Sequence, residues 1–321
     1  MKISLSGIKP SGHPHLGNYL GMIRPALALT ASYRCLYFIA DYHALTTLHQ
    51  GAELRQYVHE IAATWLALGL DPERALLYRQ SDVPEVMELS WILSCFTAKG
   101  LLDRAHAYKD AQAQQREVTA GLYTYPVLMA ADILAFGAEV VPVGRDQKQH
   151  VEMCRDIAQR FNHTYGDLLV VPEVLIQEEV ETIPGLDGHK MSKSYDNTIP
   201  LFSDQGSLHK LVMRIKTDST PVAEPKQPET APVFQLYRHI VGASAAAPLA
   251  EKLRAGGTSW AEAKQALADA LESALAEPRA RYQDWMADST GLAAVLARGG
   301  ERARDLAAPR MDRIRRALGV R

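Results

Sequence analysis

Cysteine is scarce in this chain. Its 321 residues hold three, Cys35, Cys95 and Cys154, far apart and with no C-x-x-C pair. That spacing excludes a disulfide framework, a closed four-cysteine zinc site and an all-cysteine iron–sulfur cluster, and the three read as packing residues in a reducing compartment. A long uncharged apolar run is missing as well. The most apolar stretch, Val127 to Val143, is interrupted by Asp132 and Glu139 and is a poor membrane span. The first seven residues hold no apolar core of signal-peptide length, so the cytosol is the expected compartment. The net charge is only −2, so a nucleic-acid site, if present, has to be a local basic surface. Internal repeats and low-complexity tails are absent. What is left is an ordinary globular composition, 47% apolar and 22% charged, in a chain long enough for one large and one smaller domain.

The first half alternates strands and helices. Ile3–Ser6, Leu36–Ala40, Ala75–Tyr78 and Ala138–Pro142 read as short strands. Glu53 to Gly69 reads as a helix with Leu54, Val58, Ile61, Trp65 and Leu68 on one stripe, and Pro84 opens another running to about Phe96. A further helix after Gly144 runs to about Asn162. Such alternation predicts an α/β fold, a doubly wound, mostly parallel Rossmann-like sheet, with ligands at the carboxyl ends of its strands. The loops with His15, Asp41, His43 and Gly144 to Gln147 all fall at that edge. After Ile199 the composition changes: Pro221, Pro225, Pro228 and Pro232 mark a loop, and an Ala/Leu-rich helical region follows. There Gly256-Gly257 separates two helices, and Ser259 with Glu262 forms a capping box opening a helix through about Ala276. The division expected is a catalytic domain over 1–200 and an all-helical C-terminal domain over 201–321.

Two short segments carry the chemistry. Lys190-Met191-Ser192-Lys193-Ser194 follows a flexible Pro184–Gly188 run; two lysines among hydroxyls suit a loop that folds over a polyphosphate, although alone they also fit a solvated basic turn. At the other end, Gly7 to Asn18 is a Gly/Pro loop between a strand and a helix start. The exposed N–H groups and positive partial charge of a helix N-terminus make an anion site, with His15 and Asn18 projecting from the first turn as donors. The bland alternative is a tight strand-to-helix turn. A third segment, Tyr123 to Leu134, reads as a helix with Tyr125, Met129 and Asp132 on one face. An aromatic, a thioether and a carboxylate suit an indole ring with its single N–H donor; a core helix with Asp132 turned to solvent or pairing with a neighbour fits equally well.

His15-Leu16-Gly17-Asn18 resembles the His-Ile-Gly-His signature of class I aminoacyl-tRNA synthetases, with Asn in the last place, and Lys190 to Ser194 matches their Lys-Met-Ser-Lys-Ser signature in every letter. Within that family the segments Gly7–Gly12, Asp41–Ala44, Ala130–Leu134, Val141–His150 and Arg155–Asn162 resemble the tryptophan-specific branch, over residues 1 to 220. Tyrosine-specific enzymes are the nearest relatives, and a phenol also suits Asp132.

The resemblance implies activation of L-tryptophan with ATP and transfer to tRNA(Trp), a homodimer, Mg²⁺ brought by ATP, no resident metal and no membrane. Some tryptophan-specific members carry an iron–sulfur cluster, whose ligands this chain lacks. Family roles fall on His15, Asn18, Lys190 and Lys193 as the groups that stabilise the phosphates. ATP binding is implied for Lys9, Pro10, Ser11, Gly17, Asn18, Gly144, Arg145, Asp146, Ile183, Lys190, Met191, Ser192, Lys193 and Ser194. Gly17 gives room for ATP to pass, Asp146 accepts ribose hydroxyls and Ile183 packs on adenine. Tryptophan binding is implied for Leu5, His43, Tyr125, Met129, Asp132, Val141, Val143 and Gln147. Two positions depart from the family pattern: Lys9 stands where some members have Gln, and Ala111 where some have a pyrophosphate-binding Lys. Phosphate neutralisation then rests on Lys190, Lys193 and Lys109. Arg302, Arg304, Arg310, Arg313, Arg315, Arg316 and Arg321 crowd the C-terminus; they read either as a salt-bridged face or as a surface for RNA phosphates, and the family's use of this region to read the anticodon favours the second. Besides the tyrosine-specific enzyme, a tRNA-independent nucleotidyltransferase and a degenerate tRNA-binding paralogue are the alternatives.

Overall fold

The structure, a computed structural model, describes residues 1–144, 147–176 and 182–320. Five strands form one parallel sheet: β1 Ile3–Ile8, β2 Arg34–Ile39, β3 Leu76–Arg79, β4 Val140–Val143 and β5 Glu173–Ile176, in the order β3-β2-β1-β4-β5. Strand β2 pairs in register with β1 from Ile3↔Arg34 to Ile8↔Ile39. Its Cys35, Leu36, Tyr37, Phe38 and Ile39 are all buried, the continuous apolar run expected of a strand covered on both faces. The chain winds outward through β2 to β3, then returns to lay β4 on the other side of β1. The winding therefore reverses between β1 and β4, and the crevice beyond their carboxyl ends is where such sheets bind ligands.

Between β1 and β2 run α1 Leu16–Asn18, a π-helical turn Tyr19–Ile23, and α2 Arg24–Leu29. Helices α3 Asp41–Ala44 and α4 Gly51–Ala67 lead to β3. In α4 Val58, Ile61 and Trp65 are buried on the sheet while Leu54 and Leu68 lie at the margin, as the stripe predicts. Helices α5 Pro84–Ser94, α6 Lys99–Leu102, α7 His106–Ala113 and α8 Ala120–Ala135 fill the long return to β4, and α9 Lys148–Tyr165 joins β4 to β5. Of the cysteines, Cys35 and Cys154 are packing residues as expected, whereas Cys95 lies exposed at the end of α5.

The C-terminal region comprises α10 Gln205–Met213, α11 Pro232–Val241, α12 Ala243–Ala255, α13 Trp260–Ala287 and α14 Ser289–Leu318. The capping box is formed, with Ser259 N–H donating to Glu262 at 2.7 Å. The helix it opens runs to Ala287 rather than Ala276, passing through Pro278. The region divides its packing. Helices α10 to α13 build a core of their own around Trp260, Leu267 and Leu271, which also takes in Leu16, Leu20, Ile183 and Met191. Helix α14 instead returns to the sheet: Leu292 and Leu296 join one face's core, and Ala303, Ala307, Met311 and Ile314 join the other's. It covers edge strand β3, a position that would otherwise leave unpaired backbone groups.

This use of α14 decides the fate of the C-terminal arginines. Arg302 donates to the Pro72 carbonyl at 2.8 Å, Arg310 to the Ala135 carbonyl at 3.1 Å, and Arg315 to Glu88 at 2.8 Å; Arg304 pairs with Glu85 at 3.5 Å. These four are turned onto the sheet region, α8 and α5, which matches the salt-bridged alternative: Glu85, Glu88 and the two carbonyls lie elsewhere in the chain, beyond the reach of local charge patterning, and Arg315 also pairs with Asp312 at 2.8 Å.

The close approach depends on Gly299 and Gly300. A Cβ at 299 would overlap the Leu77 carbonyl oxygen, and one at 300 would stand 2.6 Å from Asp82 Cβ. Backbone atoms cannot move aside as a side-chain tip can, so Gly299→Ala is expected to cost about 1–3 kcal/mol. A thermal melt should show it as a clearly lowered Tm; an unchanged Tm would mean α14 sits further from β3.

Candidate active site

A cavity of about 460 Å³ opens at the carboxyl ends of β1 and β4. All eight residues expected to bind an amino acid line it: Leu5, His43, Tyr125, Met129, Asp132, Val141, Val143 and Gln147. They come from β1, α3, α8, β4 and the start of α9, so only the winding of the sheet brings them together. Its wall is otherwise mostly apolar, with Met22, Phe38, Ala40 and Ile133 among the contributors.

Asp132 is the polar centre. It is 2% exposed, so the alternative of a carboxylate turned to solvent is excluded. Burial pushes its pKa above the ordinary carboxylate value, and hydrogen bonds from His43 and Gln80 pull it back. His43 Nε2 lies 2.8 Å from Oδ2, and Gln80 Nε2 donates to Oδ1 and Oδ2 at 2.8 and 3.0 Å. A second chain of polar groups runs from the Tyr125 hydroxyl to His150 Nε2, and from His150 Nδ1 to Gln147 Oε1 at 3.1 Å. Gln80 and His150 carry no signature in the sequence. A glutamine after a strand and a histidine inside a helix are common, and only the fold brings them to Asp132 and Tyr125.

The N-terminal loop carries Lys9, whose ammonium lines the cavity and donates to Thr46 at 2.9 Å; burial lowers its pKa. Pro10 is buried, and Ser11 N–H closes a turn onto the Lys9 carbonyl at 2.9 Å. His15 caps α1 and is 7% exposed. Its Nδ1 is buried without a hydrogen-bond partner among the described residues. Burial first, and Lys193 second, depress its pKa to about 4, so the ring is neutral at pH 7. Asn18 turns its amide oxygen back to the His15 N–H at 3.0 Å, which aims the side chain along the helix start.

The lysine loop closes on this helix start. Met191 Sδ lies 3.2 Å from the Gly17 N–H, so the space over Gly17, expected to be left for ATP, is faced by Met191. Lys193 Nζ lies over Gly12, 3.1 Å from where a Cβ would be, at a φ of +125° that favours glycine. Burial lowers the Lys193 pKa while the Glu60 carboxylate opposes that fall. Lys190 is exposed, and the Ser192 and Ser194 hydroxyls lie 3.0 Å apart. The loop is held by Asn197, which is 2% exposed. It accepts from Ser192 N–H at 2.8 Å and donates to Asp187 at 2.7 Å and the Lys190 carbonyl at 3.1 Å.

Five positions stand apart. Ile183 is buried with Leu16, Leu20 and Met191 in the helical region's core rather than lining the cavity. Gly144 lines the cavity, but Arg145 and Asp146 lie outside the described residues. Ala111 is fully buried, so a lysine has no room there, and Lys109 is exposed. Among the described residues no three His, Cys, Asp or Glu side chains cluster as metal ligands, and no helix is long and apolar enough to cross a membrane.

A five-stranded parallel sheet with a lysine loop closed on a helix start, beside an apolar cavity around a carboxylate, defines a nucleotide-dependent synthetase fold. The chain belongs to the tRNA synthetases class I (W and Y), whose family model matches residues 2–276. It is 51% identical to the tryptophan--tRNA ligase of Pseudomonas aeruginosa, over 99% of this chain and 73% of that one. With the enzyme of the same name from Neisseria meningitidis serogroup A it shares 48% identity, covering 99% and 97% of the two chains. Its fold superposes on Campylobacter jejuni tryptophanyl-tRNA synthetase, solved with ADP and tryptophan, at a TM-score of 0.92 and 41% identity over 99% of both chains.

The depressed His15 pKa has a measurable sign. The unfolded chain takes up this proton near 6.5 and the folded chain only near 4, so His15 subtracts from stability as pH falls between those values. An NMR titration should find the His15 midpoint near 4. In Lys193→Ala it should move up without reaching 6.5, because burial, the larger cause, remains. A midpoint near 6.5 in the wild type would mean the ring is solvated.

Proposed function

We propose that this protein is a tryptophan--tRNA ligase that works in the cytosol. The observation that carries the reading is the apolar cavity with a buried carboxylate, Asp132, at its polar centre. An indole has one N–H to donate and a large apolar surface to bury, and Asp132 with Met129, Val141 and Leu5 matches both. Tyr125 and Gln147, linked through His150, line the same cavity, and Lys9 faces the carboxylate or the α-phosphate.

The tryptophan carboxylate attacks the α-phosphorus of ATP; a P–O bond to that oxygen forms as the bond to pyrophosphate breaks. A carboxylate is already a nucleophile, so the protein's work is positioning and charge stabilisation. Lys190 and Lys193 take the charge of the departing phosphates. His15, neutral, and the Asn18 amide bond to phosphate oxygens. Mg²⁺ arrives with ATP. A hydroxyl of the tRNA's terminal adenosine then attacks the carbonyl carbon of the adenylate, releasing AMP. The helical region α10–α13 is the part that reads tRNA(Trp).

The protein works as a homodimer. Met87, Trp91 and Cys95 follow one another at helical spacing along α5, all exposed, with Trp91 at 73%. A stripe of this kind is unusual on a monomer's surface and supports a second copy as its cover. Sedimentation should find a dimer for the wild type and a monomer for Trp91→Asp; a dimer in both would place the interface elsewhere.

Pyrophosphate exchange into ATP, with tryptophan and tyrosine offered separately, tests the activity. Tryptophan alone should support exchange. Asp132→Ala should raise the tryptophan requirement by the equivalent of about 1–3 kcal/mol, roughly 5- to 150-fold. Exchange with tyrosine would overturn the substrate assignment and leave the chemistry in place.

A further inference from the structure

Gln80 is buried at 1% exposure in the turn that follows β3, and it belongs to neither signature. Its side chain bridges two elements of the cavity wall. The amide oxygen accepts from the His43 backbone N–H at 3.3 Å, and the amide nitrogen donates to both oxygens of Asp132. The first bond fixes which end of the amide is the donor, so Gln80 presents N–H groups to the carboxylate and nothing it could accept with. The turn itself is held from two sides. Asp41 accepts from Ser81 N–H at 3.0 Å, and α14 wedges Gly300 against Asp82.

We propose that Gln80 is a positioning residue for tryptophan recognition, one that holds the Asp132 carboxylate ionised and aims its remaining lone pairs at the indole N–H. The inference rests on the tryptophan-activating reading and adds a residue to it. A carboxylate has about four lone-pair sites. His43 and the two contacts from Gln80 engage three of them, which leaves acceptor capacity on a residue that lines the cavity. Without Gln80 the buried carboxylate loses a donor and is easier to protonate, and a protonated Asp132 is a weaker acceptor for the indole.

Of the other titratable groups around Asp132, His43 and Asp41 from α3 act on its carboxyl, while burial and then its charge raise the pKa of Tyr78 on β3 and Cys154 on α9; Tyr125 on the same helix lines the cavity. All of them are present in wild type and variant alike, so a difference between the two pH profiles reports the group at 80.

The experiment is pyrophosphate exchange across pH with wild type, Gln80→Met and Gln80→Glu. Wild-type exchange with tryptophan comes first; its absence would sink the parent reading, and with it this one. Given that exchange, Gln80→Met, close in volume but with no donor, should raise the KM for tryptophan about tenfold and leave the KM for ATP nearly unchanged. The acid limb of its kcat/KM for tryptophan should move to higher pH. Gln80→Glu supplies a donor only when it carries a proton, so its loss should grow as pH rises, the opposite slope. Equal, pH-independent losses in the two variants would indicate packing alone and overturn the proposal, as would a tryptophan KM in Gln80→Met within twofold of wild type. Should Gln80→Met fail to fold, the slope of Gln80→Glu still decides: a loss that does not change with pH overturns it.

Discussion

The burial of one carboxylate constrains the centre of this molecule. An ionised Asp132 at 2% exposure is costly unless donors surround it. They come from α3 and from the turn after β3, neither adjacent to α8 in sequence. Three segments must therefore end at one point, and the parallel sheet makes them do so, since β2 and β3 deliver their following turns to the same edge. Asp41 repeats the pattern next door: it is 8% exposed and accepts from Ser81 and Tyr42 backbone N–H groups at 3.0 Å. The cavity can be apolar enough for a large ring because its polar groups are already satisfied by one another.

Helix α14 reaches both sides of that point from the far end of the chain. Its paired glycines sit against Leu77 and Asp82, the residues flanking the Gln80 turn. Further along, Arg310 donates to the Ala135 carbonyl at the end of α8, the helix that bears Asp132. A cation at a helix C-terminus also meets the negative end of the helix dipole. The segment that follows α10–α13 is thus packed on the two elements that hold Asp132 and its donor.

The lysine-loop end is organised differently. There the chain uses backbone groups and one buried asparagine rather than a charged core. Asn197 ties Ser192, the Asp187 carboxylate and the Lys190 carbonyl together, so the loop's shape is set by bonds that use neither lysine side chain. Met191 anchors the loop on Gly17 and joins the core shared with Ile183 and Leu16. The lysine loop and the helix start, more than 170 residues apart, consequently form one surface.

The sequence alone determined what local pattern and short motifs encode: the alternation that yields a parallel sheet, the helix carrying Tyr125, Met129 and Asp132, the capping box at Ser259, and the two signatures at His15–Asn18 and Lys190–Ser194. These are legible because each depends on side chains a few residues apart, whose spacing is fixed by helix or strand geometry. Tertiary structure decided the rest. Gln80 and Asn197 act through partners 52 and 5 to 10 residues away and stand in neither signature, and His150, although it ends the marked segment Val141–His150, meets Tyr125 25 residues away. Charge patterning left the arginines of α14 open between a salt-bridged face and an RNA surface, because it sees only the helix they stand on. Only folding showed that Arg302, Arg304, Arg310 and Arg315 spend their hydrogen bonds on carbonyls and carboxylates of the sheet region and α5, partners that the sheet's winding and a long returning helix bring within reach.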